Sequence, residues 1–295
     1  MVNKKDFTFG QVFIYSSLII GIFLVIWPLM NILSWSLTPT KNVHMLNGLD
    51  IFPKGIDFDV FKLMLSNPRV IVSFANSIFI TTVGLVLNMI FTSIAAYALS
   101  KDYLPGRNIF LTIIIFTMVF EPSIVPEFIV INNIGLFDSY WSVILYKMVN
   151  VYYLVLMIRF YKELPKEYFE AAEIDGANHL QVFFYIVIPL SIPALMVIGL
   201  FYTVAHWNEY FHAMIYLNDT GKWPLQVLLR EFAIVGDRGS MVSYNSIINW
   251  SDATQIDIRR MRAAIIFITL FPILLLFPFI LKYFTKGINL GGIKE

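Results

Sequence analysis

The sequence predicts an all-α integral membrane protein with six transmembrane helices, and its composition is the first reason. Of its 295 residues, 58% are hydrophobic and only 14% are charged, whereas soluble domains carry about 25% charged residues. A helix needs about 20 predominantly apolar residues to cross a bilayer. Runs without a charged residue exceed that length at residues 7–40, 70–100 and 180–208, and a fourth at 263–281 just reaches it. These runs predict four of the six helices.

The remaining two predicted spans contain charged residues. One extends from about residue 109 to 131 and contains Glu121 and Glu127, and the other extends from about 140 to 158 and contains Lys147. Prolines in or beside the spans are compatible with helices in a membrane, because neighbouring helices satisfy the carbonyl groups that a proline frees. The interrupted runs therefore complete a six-helix arrangement.

The distribution of Lys and Arg predicts the orientation, since short cytoplasmic loops carry an excess of these residues. In a six-span arrangement most of the positive charges lie on one side, which we predict to be the cytoplasm, with both termini there. Arg69, Arg259, Arg260 and Arg262 lie on the other side and are exceptions. The charges on the predicted cytoplasmic side are Lys4, Lys5, Lys101, Arg107, Arg159, Lys162, Lys166, Lys282, Lys286 and Lys294.

The spans and loops together predict the domain organisation. Residues 1–69 form an N-terminal transmembrane helix with an outer loop, residues 70–285 form a five-helix membrane domain, and residues 286–295 form a cytoplasmic tail. A second outer loop lies at about 217–261. The membrane domain contains a polar cytoplasmic loop at 163–186, which separates two long apolar runs.

Several classes of function are disfavoured by the residues present. The formal net charge of +1, the four scattered His and the lack of Cys argue against a nucleic-acid partner, thiol chemistry and a zinc site. The first apolar run is too long for a cleavable signal peptide. The sequence at 221–223 lacks the upstream Gly and the hydroxyl residue of a phosphate-binding loop. We therefore expect no cofactor, metal or ATP bound by this chain, and no catalytic residue.

The polar loop carries signals for two short helices. Pro165 suits the first turn of a helix, and Gly176 can end that helix in a left-handed conformation. Asn178 and Gln181 have the three-residue spacing of a capping box at the start of a second helix. A loop resting at the membrane interface is the simpler interpretation. A structured acidic segment between apolar runs instead favours a surface on which a partner docks.

The loop also contains a spaced motif. Glu170-Ala171-Ala172 is followed after three residues by Gly176, and after nine more by an Ile-x-aliphatic-Pro sequence at 186–189. This spacing resembles the signature loop of permease subunits of ATP-binding-cassette (ABC) importers, the binding-protein-dependent transport inner-membrane components.

The resemblance extends beyond this loop to roughly residues 70–295. Asn-Ser at 76–77, the segments 95–100 and 104–107 and the tail 283–294 are similar to the second permease of maltose-type importers. Segments 201–208 and 223–231 are most similar to the LplC and YtcP subgroup. Those permeases are associated with oligosaccharides from plant, algal or host polysaccharides, sometimes uronate-containing. The resemblance implies a carbohydrate permease in the bacterial plasma membrane.

The resemblance implies several partners and no catalysis by the chain itself. Two copies of a cytoplasmic ATPase would bind ATP and magnesium, and a second permease subunit would complete a heterodimeric pathway. An extracellular solute-binding protein would deliver the oligosaccharide and contact Trp223 and Leu225 in an outer loop at 218–235. The tail at 287–294 would reach towards the ATPases. The residues assigned to ATPase coupling are Glu170, Ala171, Ala172, Asp175, Gly176 and Pro189.

A substrate pathway is predicted near the outer end of the fifth span. Aromatic faces and hydrogen-bonding side chains bind sugars, because a pyranose has an apolar face and a rim of hydroxyls. At 100° per residue one helical face is shared by Tyr202, His206, Glu209 and Tyr210. An aromatic belt at the interface also explains the aromatic residues. The predicted pathway residues are Tyr202, His206, Trp207, Asn208, Glu209, Lys147 and Glu121.

Charged residues inside the spans leave two questions open. Charges in a span usually face a cavity or a partner, so Lys147 either pairs with Glu121 or attracts an anionic sugar. A stand-alone proton-coupled secondary transporter using Glu121, Glu127 or Lys147 is the alternative function. That alternative lacks the two related halves found in many such transporters, and it leaves the spaced motif unexplained.

Overall fold

The computed structural model describes residues 9–120, 122–232 and 257–291, and all regular structure in these ranges is helical. The predicted all-α fold is therefore confirmed. The helices are α1 (Phe9–Leu37), α2 (Asp59–Ser66), α3 (Pro68–Ser100), α4 (Arg107–Val119), α5 (Ile124–Asn133), α6 (Tyr140–Leu145), α7 (Val151–Lys162), α8 (Lys166–Ile174), α9 (His179–Val182), α10 (Ile188–Leu190), α11 (Ile192–Trp207), α12 (Phe211–Tyr216), α13 (Leu225–Arg230) and α14 (Ile258–Gly291).

The length and composition of the helices support fewer single spans than six. Among the described residues, Gly10–Leu37 and Pro68–Ser100 are long and apolar enough to cross a membrane. The pair His179–Leu190 and Ile192–Trp207, bent by 80°, adds a third if it counts as one span. Shorter helices occupy the regions of the two charge-interrupted spans. The number of six transmembrane helices thus stays a prediction.

The chain divides into two compact units. The first comprises Met1–Ile71 with Leu229–Phe271, and the second comprises Val72–Leu228 with Pro272–Glu295. In the first unit, residues 10–26 of α1 are exposed on every side. A helix that is apolar all round requires an apolar environment, so this part of α1 is suited to contact lipid or another membrane protein.

A buried arginine joins two distant segments of the first unit. Arg260 is 1% exposed, its Nη2 lies 3.0 Å from Asp57 Oδ2, and its Nη1 donates to Thr40 Oγ1 at 2.7 Å. Burial acts to raise the pKa of Asp57, but hydrogen bonds from the Asp59 backbone N–H and from Arg260 hold it below its usual value. Since a buried charge needs a partner, this arginine is a structural anchor.

Small and polar residues line the buried face of α3 in the second unit. In a membrane such residues let helices approach closely, and packing then replaces the hydrophobic effect as the stabilising interaction. Gly84 shows how close the approach is, because a Cβ at this position would lie 2.5 Å from His206 Nε2. The buried small and polar residues of this face are Ser73, Asn76, Ser77, Thr81, Asn88, Thr92, Ser93 and Ala96.

The region of the fourth predicted span is broken between α6 and α7. Asn150 caps α7, and its Oδ1 accepts a hydrogen bond from the Tyr153 backbone N–H at 3.2 Å. The Asn150 backbone N–H donates to the Tyr202 hydroxyl at 3.0 Å, and that hydroxyl also lies 2.7 Å from Thr92 Oγ1. Irregular backbone at membrane depth needs such protein partners or a cavity, and residues 146–150 have both.

Candidate functional site

Residues 164–189, here called the coupling segment, form two short helices joined by a glycine turn. Helix α8 ends in a Schellman motif, in which two successive N–H groups bond back to carbonyls of the last turn. Gly176 N–H donates to Glu173 O at 3.1 Å, and Ala177 N–H donates to Ala172 O at 2.9 Å. The turn therefore has one defined geometry.

The predicted turn and cap of this segment are confirmed. Gly176 has φ of +74°, and no atom lies within 4 Å of the position where a Cβ would stand. Glycine is required there by the backbone conformation and not by lack of space. Asn178 and Gln181 form the capping box, with Asn178 N–H donating to Gln181 Oε1 at 2.8 Å and Gln181 N–H donating to Asn178 Oδ1 at 2.9 Å.

Ring and cation contacts attach the coupling segment to the end of α3 and the loop that follows. Lys101 Nζ lies 4.1 Å from the ring centroid of Phe169 and 4.8 Å from that of Tyr97. The Tyr103 ring stacks on His179 with centroids 6.1 Å apart. Each helix of the segment is thus held by a side chain from this region, so a displacement of the segment would be transmitted to α3.

An ion-pair cluster ties the same loop to the end of α7. Asp102 Oδ1 lies 2.7 Å from Lys162 Nζ and 3.5 Å from Arg107 Nη1. The hydrogen bond from Lys162 is the main reason why the pKa of Asp102 lies below its usual value. Arg107 Nε donates to Leu99 O at 2.7 Å. Three chain segments are therefore connected beside the coupling segment.

The coupling segment exposes large apolar side chains among polar ones. Ile174 is 87% exposed, Tyr185 79% and Leu180 69%. A cleft of about 480 Å³ lies between the two helices and is lined by Tyr168, the glycine turn and Tyr185 among others. Exposed apolar residues grouped on one element are typical of a protein interface. None of these three side chains was assigned to coupling from the sequence.

The residues assigned to coupling from the sequence are mostly on the outside of this segment. Glu170, Ala171, Asp175 and Pro189 are exposed, as is Gly176. Ala172 is the exception, because it is 7% exposed and belongs to the core of the second unit. Its small size lets α8 lie close to the bundle, which is a structural role.

A cavity of about 610 Å³ lies in the second unit beside the break between α6 and α7. Its volume is within the range of roughly 300–1,000 Å³ that is usual for small-molecule sites. The wall combines apolar, aromatic and polar groups from four chain segments. It is lined by Thr117, Met118, Pro122, Ile124, Glu127, Tyr146, Lys147, Val149, Asn150, Val151, Tyr152, Phe211 and His212.

Two carboxylates and a histidine form a network in and behind the cavity wall. Glu209 accepts hydrogen bonds from the Tyr146 hydroxyl at 2.5 Å and from the His212 backbone N–H at 2.9 Å. His212 Nδ1 lies 3.1 Å from Glu209 Oε1, and a carboxylate can only accept, so Nδ1 carries a proton. On the other side, His212 Nε2 lies 3.8 Å from Glu127 Oε2, which also accepts from the Tyr216 hydroxyl at 3.4 Å.

Only part of this network was predicted from the sequence. Glu209 was assigned to the pathway, but Tyr146 and His212 were not. The three-residue spacing of Glu209 and His212 was a usable signal, because it places both on one side of a helical turn. Nothing in the local sequence indicated that Tyr146, 63 residues away from Glu209, would meet them.

Lys147 lines the cavity, and its assignment to a substrate pathway stays a prediction. Its Nζ lies 5.7 Å from the ring centroid of Tyr146. Among the described residues, no carboxylate lies within 4.0 Å of it. The predicted partner Glu121 lies outside the described residues, so the pairing of these two stays a prediction.

Three other predicted pathway residues, all on α11, are buried against α3 and do not line the cavity. Tyr202 is 2% exposed, His206 8% and Trp207 5%. The Tyr202 hydroxyl lies 2.7 Å from Thr92 Oγ1, and His206 Nε2 lies 3.2 Å from Asn88 Nδ2.

The predicted common face of Tyr202, His206 and Glu209 is not formed. Helix α11 ends at Trp207, so the helical period cannot be extended to Glu209, which turns towards Tyr146 instead. Asn208 lies outside the cavity wall and accepts from Gln226 Nε2 at 3.1 Å. A pathway role for Tyr202, His206, Trp207 and Asn208 therefore stays a prediction.

The outer loop after α12 is fixed by hydrogen bonds from the first turns of α3. Asn76 Nδ2 donates to Gly221 O at 2.8 Å, and the Leu225 backbone N–H donates to Ser77 Oγ at 2.7 Å. Leu225 is 0% exposed, and the indole N–H of the half-buried Trp223 donates to Leu217 O at 3.0 Å.

The contact of Trp223 and Leu225 with a binding protein stays a prediction. Both side chains pack inwards, because apolar groups in this loop fill the space beside α3 and α6. Residues 233–235 of the predicted binding-protein loop lie outside the described residues.

Asp138 closes this outer loop from the other side. Its Oδ1 accepts from the backbone N–H groups of Asn218 and Asp219, both at 3.0 Å, and its Oδ2 lies 2.9 Å from Lys222 Nζ. The hydrogen bond from Asp219 is the largest cause, ahead of Lys222, for a pKa of Asp138 below its usual value. The residue adopts φ of +55°, which aspartate tolerates better than most residues.

In the part of the chain that the structure describes, no group of three or more His, Cys, Asp or Glu residues has a geometry that could hold a metal ion. The network of Glu127, His212 and Glu209 is linear and is internally hydrogen-bonded, which suits a structural or charge-balancing role.

The fold, the coupling segment and the spaced motif define an importer permease subunit. Residues 69–290 match the family model of the binding-protein-dependent transport system inner membrane component. The chain belongs to this family, and so it is a transport subunit without enzymatic activity of its own.

Individual relatives are similar over nearly the whole chain. The polygalacturonan/rhamnogalacturonan transport system permease protein YtcP of Bacillus subtilis (strain 168) is 36% identical over 283 residues, which cover 95% of this chain and 96% of the relative. Protein LplC of the same organism is 38% identical over 244 residues, covering 83% and 81%. A solved bacterial ABC transporter involved in the import of the acidic polysaccharide alginate contains a chain with a TM-score of 0.84 and 30% identity. That match covers 95% of this chain and 100% of the solved one.

Proposed function

We propose that the protein imports oligosaccharides derived from polysaccharides, as one of two permease subunits of an ATP-driven transporter. The proposal is supported by relatives whose names specify polygalacturonan and rhamnogalacturonan or arabinooligosaccharides, and by similarity to an importer of alginate. The cavity beside the α6–α7 break would be this subunit's share of the pathway. Its aromatic and hydrogen-bonding walls are suited to a pyranose.

The coupling segment is the observation that carries the proposal. Its glycine turn and capping box fix one conformation. Ile174 and Tyr185 expose apolar surface, whose contact with water is unfavourable. Such a rigid, partly apolar projection is suited to insertion into a cleft of a separate ATPase. The ATPase, in two copies, would hold the ATP and magnesium. Burial of Ile174 would contribute about 1.5–3 kcal/mol to docking.

Movement would pass from the ATPase to the cavity through connected helices. Closure of the ATPases would displace the coupling segment, and ATP shifts the equilibrium only if it binds the closed state more tightly. The second helix of the segment continues through a π-helical turn at Phe183–Val187 and an 80° bend into α11. Helix α11 leads to Glu209, whose network forms part of the cavity wall. This sequence of rigid elements would couple ATP hydrolysis to opening of the pathway.

The proposed topology has six spans with both termini on the ATPase side of the bacterial plasma membrane. The spans would be α1, α3, α4 with α5, α6 with α7, α9 to α11, and α14. Arg260 pairs with Asp57 and Arg259 pairs with Asp257, the latter at 2.8 Å, but both remain exceptions to the charge rule, which counts Lys and Arg alone. A solute-binding protein would then approach the side that carries Asp138 and Lys222.

The test compares two glycines that share one backbone conformation. Gly176 and Gly135 both have φ of +74° and both have open space where a Cβ would stand. Valine at either position costs about 1–2 kcal/mol of backbone strain. In the transporter reconstituted with its second permease, ATPases and binding protein, Gly176→Val is expected to abolish stimulation of ATP hydrolysis by the loaded binding protein. Gly135→Val, far from the coupling segment in sequence, is expected to retain it.

Two results would contradict the proposal. Equal loss in both variants would show that strain alone, and not the coupling segment, explains the effect. Uptake without any ATPase, driven by a proton gradient imposed on proteoliposomes, would instead establish the secondary-transporter alternative. A crosslink between the introduced cysteine of the Ile174→Cys variant and the ATPase would show independently that this surface docks on the ATPase.

A further inference from the structure

We infer that the transported oligosaccharide carries a carboxylate and that Lys147 is the group that recognises it. This inference rests on the proposed function, because it assigns a ligand class to the proposed pathway cavity. It names a specificity-determining residue and a substrate class, an acidic sugar such as a uronate, in place of sugars in general.

The position of Lys147 is the first step. It lies in the broken stretch between α6 and α7, and its side chain is exposed to the cavity that it lines. A charged side chain within a span is unfavourable by several kcal/mol unless a cavity or a partner receives it. A break in a helix at membrane depth is also energetically unfavourable. Here the break directs the lysine towards the space through which a substrate would pass.

The charges around the lysine are the second step. Glu127 also lines the cavity, but its carboxylate faces His212 Nε2 at 3.8 Å and accepts from the Tyr216 hydroxyl at 3.4 Å. Glu209 is occupied by Tyr146 and by two nitrogens of His212. The carboxylates of Glu127 and Glu209 are thus both engaged with His212. In the described part of the wall, Lys147 is left as the positive charge that faces the cavity without a carboxylate within 4.0 Å.

The neighbours of the lysine are suited to a sugar ring. Tyr146, Tyr152 and Phe211 give aromatic surface to the same wall, and aromatic faces pack on the apolar side of a pyranose. Asn150 adds an amide with both donor and acceptor groups for hydroxyls.

A flexible ammonium group suits transient binding during transport. It is a compact charge on a mobile stem, whereas a guanidinium favours a fixed bidentate geometry. A carboxylate passing through the cavity would therefore be neutralised without being held.

The test uses two oligosaccharides that differ only in charge. Trigalacturonate and α-1,4-galactotriose have the same rings and linkages, and a carboxylate in one replaces a hydroxymethyl group in the other. Uptake of each is measured in proteoliposomes containing the whole transporter and its binding protein. Wild type is compared with Lys147→Met and Lys147→Arg. Lys54→Met, which removes an exposed lysine of the loop after α1, is the matched control.

The expected result is selective. Loss of a charge-assisted contact corresponds to a decrease of about tenfold or more, so Lys147→Met should lower trigalacturonate uptake by that factor. The ATPase activity stimulated by loaded binding protein should fall with it. Lys147→Arg should retain most of the uptake, and Lys54→Met all of it. Galactotriose uptake, where the binding protein delivers it, should be unchanged by Lys147→Met.

Two outcomes overturn the inference while leaving the proposed function intact. Uptake of both trisaccharides to the same extent, and equal loss of both in Lys147→Met, would show that the lysine has no preference for a carboxylate. Recovery of trigalacturonate uptake in the double variant Lys147→Met with Glu121→Gln would show that the lysine only balances Glu121. Uptake of neither sugar, or of any other oligosaccharide, by the wild type would overturn the proposed function itself.

Discussion

The coupling segment and the cavity differ in how their geometry is determined. In the coupling segment, bonds between residues no more than five apart fix the turn and the cap. In the cavity wall, the hydroxyl of Tyr146 meets a carboxylate 63 residues away, and Tyr216 meets Glu127 at a separation of 89. Local hydrogen bonds are therefore sufficient to fix the coupling segment, whereas the cavity wall forms only when distant parts of the chain meet in the folded bundle. Changes in the two regions should consequently have different consequences.

The largest effect is expected from removing the centre of the cavity network. Glu209→Ala leaves the Tyr146 hydroxyl and His212 without their acceptor, and His212 then faces Glu127 alone. Leaving a buried donor without its acceptor costs about 1–3 kcal/mol. The variant should lower the unfolding temperature of the whole transporter in detergent, measured by intrinsic fluorescence.

The control for this variant is an exposed ion pair on one helical turn. Glu163 and Arg159 lie 3.0 Å apart with both side chains more than half exposed, and such pairs contribute at most about 0.5 kcal/mol. Glu163→Ala should leave the unfolding temperature unchanged. An equal decrease in both variants would mean that the network does not hold the bundle together, and the contrast between local and distant contacts would fail.

A smaller and strictly local effect is expected from the cap of the coupling segment. Asn178→Ala removes one half of the capping box and costs about 1 kcal/mol. Hydrogen exchange should accelerate for the amides at 178–182, while the unfolding temperature of the bundle stays the same. Stimulation of ATP hydrolysis by the binding protein should fall several-fold.

Asn178→Ser, which preserves a capping oxygen, should restore both readings. A fall in the global unfolding temperature with Asn178→Ala would contradict the view that this segment folds by local bonds.

The same contrast explains what could be predicted from the sequence. The all-α fold, the glycine turn and the capping box were predictable, because hydrophobic runs and caps are properties of neighbouring residues. The unfavourable place of Lys147 in a span predicted that it faces either a cavity or a partner, without deciding between them. The roles of Tyr146 and His212 were not, since their partners come from other helices.

The positions of Glu209 and Leu225, which the sequence did not predict, have a common physical cause. Extending a helical wheel past Trp207 put Glu209 on the wrong surface. Leu225 was assigned to a contact with a binding protein, and Ser77 and the packing beside α3 hold its side chain inside. In each case a distant contact, which no local pattern records, determined the position of the side chain.

The smallest effect is expected at Asp138, whose clamp on the outer loop joins residues 84 apart but lies near the surface. The pKa of this carboxyl is lowered in the folded state, first by the Asp219 backbone N–H and then by Lys222. Its contribution to stability is therefore complete above the usual aspartate pKa of about 3.9 and is lost as the pH falls through the lowered value. Asp138→Asn should unfold at a lower temperature than wild type near pH 7, and the difference should shrink in that acidic range.

Lys222→Gln should follow the same pH dependence with a smaller difference, because the two backbone N–H donors remain. A difference that stayed constant with pH would show that the ionised carboxylate contributes nothing, and that this distant contact depends only on the shape of the loop.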